Sequence, residues 1–176
     1  MSSQIFVDES KDKGFLLAAS SISCADIGRL QSEISSLLLR RQVRIHFRRE
    51  QEARRLRILE ALTTAGRIRT VVFDATRFDS MKAGRVAAIT RMADYAAAVR
   101  ASRIVIESDD SAAEQDRKVI RRQLAAAGLD GIVGVDHCRA CEVPLLAVPD
   151  VVAWCYAKGG IWRQRAEPLI SDVVIL

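Results

Sequence analysis

The sequence predicts an α/β protein: a mixed sheet opened by an antiparallel hairpin and flanked by helices. Three observations carry that expectation. Short apolar runs, Ile5-Phe6-Val7, Val71-Val72-Phe73 and Ile104-Val105-Ile106, have the length of buried strands, and each is followed at once by an acid. Stretches with apolar residues at helical spacing separate the later runs. The run Ile5-Phe6-Val7 and the apolar run Phe15 to Ile22 are joined only by a polar turn, Asp8 to Gly14, too short for a helical crossover. A sheet that starts antiparallel and continues through helical crossovers is mixed and covered by helices.

Taken in order, Gln4 to Asp8 reads as the first strand, Asp8 to Gly14 as the turn, and Phe15 to Ile22 as the second strand. Ser23 to Asp26 supplies helix-start residues, and Leu30, Ile34, Leu37 and Leu38 then share one helical face. Arg44-Ile45-His46-Phe47 reads as a brief strand. A helix over Arg48 to Ala65 carries Leu56, Leu59 and Leu62 and stops at Gly66. Ile68 to Phe73 is the third clear strand. Ser80 to Arg100 is a long helix, Arg103 to Glu107 a strand, and Glu114 to Ala127 a helix closed by Gly128. Gly131 to Val135 is a further strand candidate. Pro149 suits the first turn of a last helix through Val151, Trp154 and Ala157. Ser171 to Leu176 reads as a closing strand, and as a homodimer edge if it is left unpaired.

The chain has 176 residues and 19.5 kDa, the size of one domain spanning 1–176, with no repeat, low-complexity tract or linker. Apolar residues make up 49% and charged residues 28%, which excludes a disordered chain. No apolar run approaches the ~18–20 residues of a membrane span. Met1-Ser2-Ser3-Gln4 does not open a signal peptide, and Cys24, Cys138, Cys141 and Cys155 are too scattered for a disulfide framework. A soluble cytoplasmic protein is expected. The net charge is +5, and the stretch Arg40 to Arg57 alone has a balance of +6 from eight arginines and two acids. Arginine's planar fork suits phosphate oxygens, so the patch reads either as a contact for a polyanion or as a solvated helix face.

The placement of acids is the strongest chemical signal. Asp8, Asp74 and Glu107 each close a predicted strand, and in open α/β sheets the ligand crevice lies beyond those ends. Carboxylates gathered there repel one another, and a divalent cation such as Mg²⁺ or Mn²⁺ resolves the repulsion. The competing reading is a turn or helix cap. Asp74 has no acid beside it and reads as structural. Glu107-Ser108-Asp109-Asp110-Ser111 reads as a metal cluster or as the cap of the next helix. His46 reads as a group that orients water, protonates a leaving group or contacts phosphate, or as a packing residue. His137-Cys138-Arg139-Ala140-Cys141 offers three ligands where structural zinc wants four, so its cysteines read as buried or incidental. Trp154 reads as a core residue, with base stacking as the alternative. No phosphate-cradling or dinucleotide-binding glycine motif and no nucleophile-elbow serine motif is present.

Ile5-Phe6-Val7-Asp8-Glu9-Ser10 resembles the hydrophobic-Asp-Glu-Ser-Gly opening of the bacterial and phage proteins grouped as domain of unknown function 3800. The resemblance continues at Ile45-His46-Phe47, where that family carries a Glu-x-His element, and at Ile104-Val105-Ile106-Glu107, a strand that commonly ends in Asp. It closes at Pro144 to Trp154, similar to the family's Leu-Gln-x-Ala-Asp-hydrophobic-hydrophobic-Ala element. The resemblance implies an RNase H-like fold and Asp8, Glu107 and Asp150 as catalytic acids and metal ligands; Asp109, from the acidic run after Glu107, is a reserve ligand for the metal. The resemblance adds Asp150, placed to point across the sheet ends toward Asp8. Three positions depart from the pattern: Lys11 replaces a glycine, Arg44 stands where an acid is common, and Glu107 replaces Asp. Lys11 would contact a substrate phosphate or occupy the place of a metal ion.

The function expected is a nuclease or related phosphodiester hydrolase dependent on Mg²⁺ or Mn²⁺. Its nucleic-acid contacts would be Lys11, Arg44, His46, Arg48 and Arg49. The alternative is a catalytically silent nucleic-acid-binding or protein-interaction module on the same fold. A PIN-like nuclease also gathers acids at strand ends, but its first strand leads into a helix, and here Asp8 leads into a turn and a second strand.

Overall fold

A computed structural model describes residues 2–109 and 111–176, so Met1 and the Asp110 of the acidic run lie outside the described residues. Six strands form one sheet: β1 (Ser3–Ser10), β2 (Phe15–Ser23), β3 (Ile68–Ala75), β4 (Arg103–Glu107), β5 (Gly134–Cys138) and β6 (Ile170–Ile175). Their order is β5-β4-β1-β2-β3-β6. Only β2 runs against its neighbours; the pairs β1–β4, β4–β5 and β3–β6 are parallel. Every strand but β2 therefore ends at the same edge of the sheet, which is where Asp8 and Glu107 fall. This is the expected mixed sheet opened by a hairpin.

Alternation along the strands sorts the core into two layers. Phe6, Leu16, Ala18, Val72 and Val105 face α1 (Ile27–Ser36), α2 (Glu52–Ala65) and α5 (Ala147–Lys158), meeting Leu30, Ile58, Leu62, Val148 and Val152. Ile5, Val7, Leu17, Phe73, Ile104 and Ile106 face α3 (Met81–Ala98) and α4 (Ala113–Ala126), meeting Ile89, Met92, Ile120 and Leu124. A short α6 (Gly160–Ala166), which periodicity did not separate from α5, follows the left-handed Gly159. Ser80 caps α3 by accepting the Ala83 N–H at 3.1 Å. Among the described residues no helix is long and apolar enough to cross a membrane.

Two expectations need correction. Arg44 to Phe47 is not a strand. Ile45 and Phe47 are buried and His46 is not, so the alternation is real, but the segment plugs its side chains into the core and pairs with no strand. A 3-10 turn, Phe47–Arg49, follows, and α2 begins only at Glu52. The fifth strand starts at Gly134 instead of Gly131, because Gly131 sits in a left-handed turn (φ +71°) and pairing with Arg103 begins at Gly134. The closing strand forms as expected: β6 pairs with β3 on one side and stands at the edge of the sheet.

The hairpin between β1 and β2 places its positive φ at Gly14 (+103°) and not at Lys11, so the missing glycine at position 11 costs the turn nothing. A Cβ at Gly14 would stand 2.8 Å from the Thr76 Cα, in backbone that cannot step aside. Gly14→Ala is therefore expected to lower unfolding stability by about 1–3 kcal/mol, the usual cost of a strained backbone position. Urea titration checks this, and an unchanged midpoint would contradict it.

Candidate active site

Strand register brings the first two acids together. The β1–β4 ladder pairs Phe6 with Val105 and Val7 with Ile106, so one step further Asp8 comes beside Glu107. Both share the face of Phe6 and Val105, the one α5 covers. Asp150 lies in the first turn of α5, where the helix dipole favours a carboxylate. Its Oδ2 accepts the Phe47 N–H at 2.9 Å. That bond fixes the acid, and Phe47 is itself fixed by edge-to-face contacts with Trp154 and Trp162. Trp154 thus packs against Phe47, with the Arg55 guanidinium 4.5 Å from its ring centre.

The three acids are electrostatically unresolved. Burial pushes the Asp8 carboxyl well above the usual carboxylate range, and the charges of Asp150 and Glu107 push it further. A hydrogen bond with Glu107 acts in the same direction, and the Glu9 N–H, donated to Asp8 Oδ1 at 2.7 Å, opposes them. Arg44 Nη1 is paired with Glu107 Oε1. His46 Nδ1 stands 3.8 Å from Asp150 Oδ2. The donors are right in kind for a hard divalent cation. Among the described residues, however, no three His, Cys, Asp or Glu side chains are already set to hold one. In the folded arrangement the raised proton affinity of Asp8 and the guanidinium of Arg44 work against the negative charge.

A groove of about 310 Å³ opens beside Asp150 and is lined by Lys11, His46, Arg48 and Trp154 among others. Arg48 reaches Asp12 at 2.7 Å, and Arg49 is exposed on the same 3-10 turn. The arginine-rich stretch is not one solvated stripe. Arg54 bonds Glu50 and the Leu37 carbonyl, and Arg55 bonds the carbonyls of Phe47 and Arg48, so both hold the chain together.

Lys11 does not take the place of a metal ion among the three acids. Its Nζ lies 2.7 Å from Glu9 and 3.0 Å from Asp109. Asp109 is likewise not gathered with Asp8, Glu107 and Asp150. It accepts the Ser111 hydroxyl (2.6 Å) and N–H (3.2 Å) in a turn leading into α4, and Ser111 and Lys11 draw its carboxyl down to about 2. Asp74 is tied to the Thr76 N–H and hydroxyl and to the Tyr156 hydroxyl, the geometry of a structural turn.

The sequence reading missed the polar network on the other face. Glu9 alternates away from Asp8 and pairs with Arg85 of α3. Arg85 makes a bidentate pair with the buried Asp116 of α4 at 3.0 and 2.7 Å. His137 Nε2 lies 3.7 Å from Asp116. An arginine inside the alanine-rich run Ala83 to Ala88 was the available signal. His137 joins this face and Cys138 the opposite one, so the Cys-x-x-Cys segment cannot close on a zinc ion with His137. Burial pushes the Cys155 thiol up to about 12, leaving it inert.

Because Asp8 binds its proton more tightly when folded than when unfolded, it favours the native state at low pH, and that benefit is lost as pH rises from the ordinary carboxylate range through the raised value. Asp8→Asn is therefore expected to stabilise the protein at neutral pH, with the gain shrinking as the pH falls toward 4. Urea titrations at the two ends of that window check it; a variant less stable at neutral pH would contradict it.

No family model matches the sequence, and no curated protein matches it. Among solved structures the chain is similar to the RNase HII described in "Structure of the PCNA:RNase HII complex from Archaeoglobus fulgidus", with a TM-score of 0.59 and 17% identity over 95% of this chain and 78% of that one. At that identity the likeness is one of fold: the sheet and its flanking helices form an RNase H-like α/β domain.

Proposed function

We propose that the chain is a divalent-metal-dependent nuclease, or a related phosphodiester hydrolase, of the domain of unknown function 3800 type. The observation that carries this reading is the convergence of Asp8, Glu107 and Asp150, from β1, β4 and α5, with burial and the other two charges holding Asp8 well above the usual carboxylate range. A fold gains no stability from such an arrangement, so its use lies in the charge it attracts. Asp8, Glu107 and Asp150 would hold Mg²⁺ or Mn²⁺, which supplies an activated water and stabilises the leaving oxygen of a phosphodiester. Asp150 is oriented by the Phe47 N–H. His46, 3.8 Å from Asp150, is placed to hold a water or hand a proton to a leaving group. Lys11, Arg48 and the exposed Arg49 border the groove or stand next to it, where a phosphate backbone would run.

The reading is supported by the RNase H-like fold, which the chain shares with an RNase HII. The catalytically silent nucleic-acid-binding module has its own support in the Arg44–Glu107 pair, which answers one acid without a metal. Cleavage of labelled DNA, RNA and hybrid in Mg²⁺ or Mn²⁺ separates the two. Cleavage is expected to vanish in EDTA and to fall by more than the ~10–100-fold typical of losing an outer-shell partner in Asp8→Asn, with the variant still folded. Activity that survives Asp8→Asn would defeat the assignment. Salt-sensitive binding without cleavage would establish the silent module.

A further inference from the structure

We propose that Arg44 is a latch on Glu107 which a backbone phosphate of the substrate releases, so that cation binding and nucleic-acid binding reinforce each other. The proposal rests on the nuclease reading for the nature of the site, and its test distinguishes failure of one from failure of the other.

The guanidinium carries five N–H donors in a planar fork, and Glu107 engages it through Nη1 alone. The Arg44 side chain is 38% exposed. It sits at a boundary in the chain: Val43 before it is 71% exposed, and Ile45 after it is 4% exposed. Ile45 and Phe47 anchor the segment in the core, while residues 37–46 form no helix or strand. Arg44 can therefore leave Glu107 by turning its side chain, with the anchors undisturbed. The pair is partly open to water, 38% exposed at Arg44 and 23% at Glu107, so solvent screens it in part. A phosphate takes two parallel donors of the same fork and competes well for it.

The consequence for the acids follows from charge. Held by Arg44 on one side and bonded to Asp8 on the other, Glu107 has its carboxylate already committed. This accounts for donors that are right in kind and yet not set to hold an ion. When Arg44 turns to a phosphate, the three acids lose their paired guanidinium, and a divalent cation becomes the favoured counter-charge. A cation bound first repels Arg44 outward to where a phosphate can take it. The coupling is reciprocal by thermodynamic necessity.

Mn²⁺ titration calorimetry on the full chain without nucleic acid tests the latch, using wild type, Arg44→Gln and Arg44→Lys, with circular dichroism melts to show that each is folded. Arg44→Gln is expected to bind Mn²⁺ about tenfold more tightly, within the usual span of coupling between two sites, and Arg44→Lys to stay near wild type. A second arm measures the affinity for a short RNA/DNA hybrid by fluorescence anisotropy in Ca²⁺ and in EDTA. Wild type is expected to gain about tenfold from Ca²⁺, and Arg44→Gln to lose that gain. Equal Mn²⁺ affinity in wild type and Arg44→Gln overturns the latch and leaves the metal site standing. A Ca²⁺ gain that survives Arg44→Gln, or a hybrid that does not bind, overturns the role of phosphate. Absence of Mn²⁺ binding in every variant overturns both the latch and the nuclease reading.

Discussion

The register between β1 and β4 is the constraint on which the rest depends. Pairing Val7 with Ile106 leaves Asp8 and Glu107 side by side on one face, and a one-residue slip would send one of them to the other side of the sheet. The register is held by the core beneath it. Phe6, Val105, Val7 and Ile106 are all nearly inaccessible, and each such side chain contributes about 1.5–3 kcal/mol on burial. Were both acids ionised, their repulsion at a partly exposed site would be on the order of 4 kcal/mol. Four buried strand residues therefore outweigh the repulsion of one acid pair, and the apolar layers can impose a carboxylate arrangement that the acids alone would never adopt.

The same strand end shows what a purely structural solution looks like. Glu9, one residue on and facing the other way, enters a network in which Arg85 is matched by Asp116 and Glu9, with Lys11 and Asp109 closing the outside. That network ties β1 to α3 and α4 with opposite charges in contact. On the Asp8 face, among the described residues, three acids face one guanidinium, and the proton affinity of Asp8 is raised. Two faces of one strand end, built by the same alternation, thus carry opposite electrostatic designs. The mismatched one lies beside the groove, whose wall carries Lys11, His46 and Arg48 together with the acids Glu9, Asp12 and Asp150.

Much of this was legible in the sequence. Strand length and helical spacing located β1, β2, β3 and β4 and the long α3, because their apolar periodicity is set by burial on a sheet face or a helix stripe. The turn from Asp8 to Gly14 announced the hairpin. What misled was alternation without pairing: Ile45 and Phe47 are buried like strand residues, yet they act as plugs. The start of β5 depended on a partner, β4, which fixes where pairing begins and which the local sequence does not contain. Asp8 and Glu107 were visible as strand-end acids. Asp150 came only through the family resemblance, since nothing local marks a helix acid as aimed across a sheet. The pairing of Arg44 with Glu107 spans 63 residues and was not visible at all, although Arg44 stood out as a departure from the family pattern.

The account stands on Asp8, Glu107 and Asp150 forming one cation site from which Arg44 must withdraw. Anomalous diffraction from crystals grown at neutral pH with Mn²⁺ and a short nucleic acid tests that directly. The account predicts a manganese peak within coordination distance of oxygens from all three acids, with the Arg44 guanidinium moved from Glu107 to a phosphate. A manganese peak elsewhere, or Arg44 still seated on Glu107 with nucleic acid bound, would contradict it.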